Sequence, residues 1–593
     1  MSYSNSFPAV RPTTFDFANS GKLDSRISFS RADTPPTYAA PSAVHYWSNE
    51  KHLSSENLVR YSNDLSNGDW TKARLTVAST NNSAPDGTTT ASSLLEETDN
   101  STHTFYEDYT SVVGVSYTHV WYAKANGRTK FVAYAQGSSC VYDLTAATAT
   151  NSGMDAVSIT ALGSSWFKCV ATKTATTTSG RLQFEFNNGS SQSYAGDVTK
   201  GLLFWGFNIS STGQTVTNSV AGSIHREFAS TLKSVANAGD PRFEYDPASD
   251  GQSEGLLIES QATNKATYSE DFTNAVYNNY RSTIESASAV APDGTLTASF
   301  LREDATASNN HFLNAVTATG LSVGTTQYAV SVFVKAAGRS RIQIYDNNQN
   351  TPGSTTFDLS SGTVVTGDGS IKSCGNGWYR CTIIPTANYS ATSSVYMFLD
   401  NGSGTSYTGN SYSGILVWGY QLETGVSASS SYISSNSGSS TTRSADSCSV
   451  DLSETSYRGG PVSIVIETPA GAGEGYIPYL FTLSGGDQNF YAFKNTTTAS
   501  ASDDWRYQVG GTGTTVSGSA GSDKIAIRWD TGDVKAQFST GVSSTNSGAV
   551  ETAFTDLKIG MSPANLYQLN GNFKRLSLYS VALSDTELAT LVD

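Results

Sequence analysis

Apolar and polar residues alternate along this chain in short runs, and they almost nowhere recur at the three-and-four spacing of a helix. Arg26-Ile-Ser-Phe-Ser-Arg31, Tyr117-Thr-His-Val-Trp-Tyr-Ala-Lys124, Leu182-Gln-Phe-Glu-Phe186, Pro461-Val-Ser-Ile-Val-Ile-Glu467, Lys524-Ile-Ala-Ile-Arg-Trp529 and Phe573-Lys-Arg-Leu-Ser-Leu-Tyr579 read as strands with one apolar face. Gly, Asn and Ser separate them, which points to β-sandwiches or jelly rolls. One helix is predicted, at the C-terminus. There Ser584-Asp-Thr-Glu587 ahead of Leu588 forms a capping box, in which the Ser side chain accepts from the Glu587 amide and Glu587 reaches back.

The pattern is also duplicated. Tyr61-Ser-Asn-Asp-Leu-Ser-Asn67 and Ala84-Pro-Asp-Gly-Thr-Thr-Thr-Ala-Ser92 return as Tyr268-Ser-Glu-Asp-Phe-Thr-Asn274 and Ala291-Pro-Asp-Gly-Thr-Leu-Thr-Ala-Ser299, both 207 residues later. Downstream, Tyr142-Asp-Leu144, Trp166-Phe-Lys-Cys169 and Leu203-Phe-Trp-Gly-Phe207 answer Phe357-Asp-Leu359, Trp378-Tyr-Arg-Cys381 and Leu416-Val-Trp-Gly-Tyr420. Small loop insertions between fixed strands explain the slight drift of the offset. In the Ala-Pro-Asp-Gly phrase, Pro presets φ, Asp bonds locally and Gly takes the left-handed position, so turn geometry alone accounts for its recurrence. Trp166 and Trp378 lie within apolar strands and are expected to be buried at equivalent sites.

These signals divide the chain into an extended, Pro-punctuated arm (1–56), a first repeat (57–211), a connector (212–263), a second repeat (264–425), a Ser-rich surface linker (426–440) and a different sandwich (441–593). The predicted fold is all-β, three tandem β-sandwich (jelly-roll) domains after an N-terminal arm. A short Arg-led tag, Ser30-Arg-Ala-Asp33, Arg226-Glu-Phe-Ala-Ser230 and Arg443-Ser-Ala-Asp446, precedes each unit.

Composition supports this reading and narrows function. Among 593 residues there are 31 Tyr and 25 Phe but only 4 Met, and 15% are charged, which favours strands over helices. A net charge of −15 without a basic run argues against nucleic acid or an anionic membrane as partner. No apolar stretch is long enough to span a bilayer, and Met1-Ser-Tyr-Ser-Asn-Ser-Phe-Pro8 lacks the features of a signal peptide. The five cysteines, with no CxxC, indicate neither a disulfide framework nor a zinc site, and Cys169 and Cys381 read as equivalent buried thiols.

Phe15-Asp-Phe17, Leu23-Asp-Ser-Arg-Ile-Ser-Phe-Ser-Arg-Ala-Asp33, Pro241-Arg-Phe-Glu-Tyr-Asp-Pro247, Gly255-Leu-Leu-Ile-Glu259 and Tyr268-Ser-Glu-Asp-Phe272 together resemble the phrasing of tailed-bacteriophage structural and fiber proteins, which carry jelly rolls similar to carbohydrate-binding modules. The stretch from Gly571-Asn-Phe-Lys-Arg575 to Leu588 resembles the close of laminin-G, concanavalin-like lectin domains. In that family the Ser-Arg-Ala-Asp and Pro-Arg-Phe phrases lie close together, whereas here about two hundred residues separate Asp33 from Pro241, so the first repeat looks inserted between them. The resemblance implies a virion protein, a head or tail fiber or capsid decoration. Its arm would dock on other virion structural proteins, and its copies would form a homotrimer.

Chemistry is sparse. The six His residues show no HExxH spacing, no GxSxG or phosphate loop occurs, and Glu97-Thr-Asp99 retains only one acid at the matching place in the second repeat, Asp304-Ala-Thr306. We therefore expect no enzyme activity and no cofactor, with structural Ca²⁺ considered in acidic loops such as Asp503-Asp504. Aromatics in polar surroundings suit sugar stacking. Trp70, Trp505 and Tyr507 fit that description, and with the loop Gly485-Gly-Asp-Gln-Asn489 they place host surface polysaccharide recognition chiefly in the last sandwich. The alternatives are a purely structural capsid or tail component and a polysaccharide depolymerase.

Overall fold

The computed structural model describes residues 12–32, 45–86, 88–211, 225–235, 239–248, 252–318, 327–347, 354–385, 392–424, 428–436, 438–469, 479–485, 490–495, 504–509, 512–516, 524–530, 533–539, 543–546, 554–564 and 568–593. Within these, only the backbone is described at 52–55, 163, 225–228, 316–318, 392–393, 490, 493–495, 504–509, 512–516 and 543–546.

Among the described residues every sheet ladder is antiparallel, and they fold into three sandwiches. The terminal helix Asp585–Val592 carries the expected capping box, Ser584 accepting from the Glu587 amide at 3.3 Å and Glu587 accepting from the Ser584 amide at 2.8 Å.

The two repeats are built alike down to single hydrogen bonds. In the first, Lys124 of Ser116–Asn126 lies opposite Trp166 on one neighbour and Leu203 on the other; in the second, Lys335 of Tyr328–Ala337 lies opposite Trp378 and Leu416. The Asp86 carboxylate takes the Thr88 amide at 3.0 Å, and Asp293 takes Thr295 at the same distance. Glu96 accepts a bidentate Arg128 and the Tyr194 hydroxyl, and Glu303 accepts Arg339 and Tyr407 in the same way. Burial alone would push the Glu96 carboxyl up, but these donors hold it below its usual value. Trp166 and Trp378 are both buried, 1% and 3% exposed.

The N-terminal segment is not a free arm. Thr13–Asp16 pairs with Arg575–Tyr579 at the edge of one sheet of the last sandwich, and Ile27–Arg31 pairs with Asp446–Asp451 at the edge of the other. Phe15, Phe17 and Ile27 enter that sandwich's core beside Ile464, Leu576 and Leu578. The polar composition that suggested an arm hid two amphipathic edge strands, whose few apolar residues are all used.

The connector is corrected likewise. Arg242–Asp246 and Gln252–Ile258 form a three-stranded sheet with Gly571–Phe573 and add Phe243, Leu256 and Ile258 to the same core. Gly255 has φ of +89°, and a Cβ there would lie 1.9 Å from the Phe573 carbonyl oxygen, so the phrase needs its glycine for close strand approach. The closing sandwich is thus assembled from pieces of the N-terminus, the connector and the C-terminal region, with both repeats inserted into it. The first repeat enters and leaves through a two-stranded ribbon, His45–Asn57 paired with His225–Ser234, which matches the insertion read from the sequence.

The Ser-rich linker is also woven in. Tyr432, Ile433 and Ser435 are buried, and Tyr432 packs on Trp418 and Phe333. With Trp47 and Leu232 of the ribbon it covers the outward face of the second repeat's larger sheet. The matching face of the first repeat, with Trp166 and Trp205, has Tyr412 of the second repeat packed against it.

Two of the three Arg-led tags converge. Arg31 lies opposite Asp446 on adjacent strands and contacts its carboxylate at 3.2 Å. Arg242 bridges Asp446 at 2.6 Å and Glu259 at 2.5 Å, and Arg443 also contacts Glu259. Ser431 from the linker donates to Glu259 through its amide and hydroxyl, at 2.8 and 2.7 Å. This buried cluster ties together the N-terminal strands, the connector, the linker and the start of the last segment. The third tag lies in the ribbon, where Arg226 pairs in register with Glu56.

Candidate functional site

Among the described residues, one sheet in each repeat has an outward face that none of the hydrophobic clusters covers. In the second repeat that sheet runs, strand by strand, through Tyr277–Tyr280, Phe312–Ala318, Thr392–Asp400, Arg341–Asp346, Ser354–Asp358 and Thr363–Thr366. Strand alternation sends Leu313, Ala315, Val395, Met397, Leu399, Ile342 and Ile344 into the core. The residues between them point outward, and many are aromatic.

The ladder register places them in two adjacent rows. Tyr280, Phe312, Phe398, Gln343 and Thr356 face one another across successive strands, and Asn278, Asn314, Tyr396, Tyr345 and Ser354 form the next row. Phe312 stands 5.0 Å from Tyr280, 5.3 Å from Tyr396 and 4.9 Å from Phe398, and Tyr345 is 5.8 Å from Tyr396. Five rings therefore make a continuous band over four strands, about 14 Å wide at a strand spacing of about 4.8 Å. Tyr280 is 43% exposed and the other four rings are half-buried.

Amides and hydroxyls border the band. Ser394 donates to Asn314 at 3.1 Å and Gln343 to Thr356 at 3.2 Å, leaving further donors and acceptors on both amides. Arg341 is neutralised by Asp358 at 3.0 Å. The surface combines flat apolar rings with fixed neutral hydrogen-bonding groups, which suits a ligand having apolar faces and hydroxyl edges.

The first repeat shows the same sheet with different outward chemistry. In register, Ala73, Thr104, Glu185 and Val132 stand where the second repeat has Tyr280, Phe312, Phe398 and Gln343, and Thr71, Tyr106, Gln183 and Tyr134 stand where it has Asn278, Asn314, Tyr396 and Tyr345. The interiors of the repeats stayed alike while these faces diverged.

None of the residues expected to touch ligand belongs to this band. Trp70 is 1% exposed, packs on Phe105 and Phe207 at 5.6 and 4.7 Å, and donates its indole N–H to the Tyr61 carbonyl at 3.0 Å. It is a core residue, equivalent to Tyr277, whose hydroxyl donates to the Tyr268 carbonyl. Trp70→Ala is expected to cost about 3–5 kcal/mol of stability in denaturant unfolding while leaving ligand affinity of the folded protein unchanged. Trp505 and Tyr507 sit on the strand Asp504–Val509, but their side chains lie outside the described residues, as do 486–489 and Asp503 with the Asp504 side chain.

No family model matches the chain, and no curated protein matches it. Among solved structures, the CBM22-1–CBM22-2 tandem domain of Paenibacillus barcinonensis Xyn10C is 14% identical, with 65% of this chain and 99% of that chain covered, at a TM-score of 0.18. The LG1–3 region of the laminin α2 chain is 9% identical over 81% of this chain and 96% of that one, also at 0.18, and mouse laminin α1 LG4–5 is 11% identical over 47% and 90%, at 0.16. Likeness at this level does not bear on function. The all-β sandwich architecture rests on the chain's own sheets.

Proposed function

We propose that this protein is a non-enzymatic glycan-binding protein of a bacteriophage particle, and that it attaches the particle to host surface polysaccharide through the aromatic face of the second repeat. The observation that carries the binding reading is the band of Tyr280, Phe312, Tyr345, Tyr396 and Phe398 bordered by neutral amides. Apolar ring faces stack on the C–H faces of sugars, and the amides bond the hydroxyls. A band about 14 Å wide suits a short stretch of polysaccharide lying across the strands better than a single sugar. The particle context is supported by the phrases resembling phage structural proteins.

Thr13–Asp16 and Ile27–Arg31 lie in the closing sandwich, which the repeats interrupt as insertions. The aromatic band favours the second repeat over the last sandwich as the recognition surface. Single sites of this kind bind weakly, and many copies on one particle raise the effective affinity.

Incubation with purified host envelope polysaccharides tests the reading. The expected result is retention of the full chain without shortening of the polysaccharide. Shortening would favour a depolymerase, and neither retention nor shortening would favour a purely structural capsid or tail component.

A further inference from the structure

The uncovered face of the first repeat carries a second constellation. Glu185 stands at its centre, on the strand Ser179–Asn187, and accepts hydrogen bonds from the Tyr134 hydroxyl at 3.0 Å, the Gln192 amide and, through its other oxygen, the Gln183 amide at 2.8 Å. All three donors are neutral, so the carboxylate is held in place without being neutralised. The cations nearby on this sheet are already engaged: Lys130 pairs with Asp143 at 2.9 Å, and Arg181 pairs with Asp108 at 2.7 Å while lying 3.8 Å over the Tyr106 ring. Among the described residues no basic nitrogen forms an ion pair with Glu185.

Tyr134 occupies the place that Tyr345 holds in the aromatic band, and both are half-buried. The first repeat thus keeps one ring of the platform and sets a fixed, unneutralised carboxylate beside it, where the second repeat has Phe398. Oε1 of Glu185 accepts one bond and has room for another.

We propose that this face is a second saccharide site, selective for sugars bearing a protonated amine. The sugar ring would lie against Tyr134 and its ammonium would donate to Glu185, with Gln183 and Gln192 bonding neighbouring hydroxyls. The inference rests on the reading that the outward sheet faces hold sugars, but it concerns a different repeat and a different ligand chemistry.

Titration of the full chain with glucosamine oligomers and with their N-acetylated counterparts tests it. The expected result is binding of the free-amine oligomers at least tenfold tighter than the acetylated ones, weakening steeply with added salt because the contact is ionic. Glu185→Gln, which preserves shape and two of the neutral contacts, is expected to lose about tenfold or more with an unchanged melting profile, and Tyr134→Ala is expected to weaken binding further. In a background carrying Tyr396→Ala and Phe398→Ala, which removes stacking rings of the second repeat, the preference for free-amine over acetylated oligomers is expected to remain. The proposal is overturned if free-amine oligomers do not bind, if both oligomers bind equally, if Glu185→Gln binds as the parent does, or if the free-amine preference disappears in the Tyr396/Phe398 background. Failure of the second repeat to hold neutral polysaccharide would be seen separately, in the polysaccharide affinity of the Tyr396→Ala/Phe398→Ala variant.

Discussion

Replacing Phe15 by Ala is expected to destabilise the closing sandwich by about 3–5 kcal/mol, and Phe17→Ala by a similar amount. Both rings are 1% exposed and pack in one core with Leu576, Leu578 and Phe573, more than five hundred residues away in sequence. Removal of residues 1–32 is expected to be worse. It would uncover both sheet edges, at Arg575–Tyr579 and Asp446–Asp451, and remove Arg31 from the buried ionic cluster. Unpaired edges recruit other chains, so the truncated protein is expected to aggregate. Calorimetry of the full chain with each substitution checks this, with the transition of the closing sandwich moving down and those of the repeats unmoved. Costs below about 0.5 kcal/mol, as for an exposed arm, would return these residues to the surface.

The second large effect is expected at Glu259. Its carboxylate accepts from Arg242, Arg443 and Ser431, all converging in a buried site. Glu259→Gln would leave Arg242 and Arg443 buried with less negative charge to answer them, at an expected cost of about 3–5 kcal/mol in denaturant unfolding. Burial alone would raise the Glu259 carboxyl, but the charges of Arg443 and Arg242 hold it far below the usual range. Because the folded value lies below the unfolded value, of about 4.3, the group's contribution is complete above that pH and is lost progressively as pH falls below it. Unfolding measured from neutral pH downward should therefore show a loss of stability below about pH 4.3 in the parent. Glu259→Gln should be weaker at neutral pH and flatter over the acid range.

The sequence made much of this fold legible, for reasons visible at particular residues. The duplication was readable because turns and buried aromatics fix residue type tightly: Asp86 and Asp293 make the same turn contacts, and Trp205 and Trp418 donate to Thr90 and Thr297 in turn. The terminal helix was readable because a capping box is local. The discontinuous sandwich was not, since pairing of Thr13 with Leu578 leaves no mark in nearby sequence. Its one trace was the repeated Arg-led tag, whose Arg31 and Asp446 meet across a ladder.

The candidate site was hidden by the signal that reveals strands. In Ser394-Val-Tyr-Met-Phe-Leu-Asp400, Val395, Met397 and Leu399 point inward while Tyr396 and Phe398 point outward. With apolar residues at both parities, period-two alternation does not distinguish the faces. Trp70 misled in the opposite sense. The polar Asn67-Gly68-Asp69 before it suggested a surface, while the 207-residue offset aligned it with Tyr277 and hence with the core. Placing the second repeat's outward positions beside those of the first would have exposed the divergence of the faces.

The affinity of the intact protein for a host envelope polysaccharide that retains it, compared with that of Tyr396→Ala, Phe398→Ala and the double variant, tests the central claim most directly. At about 1 kcal/mol per stacked ring, each single substitution is expected to weaken binding by the folded protein about fivefold and the pair about thirtyfold. Undiminished affinity in the double variant would contradict the account and move recognition off the second repeat.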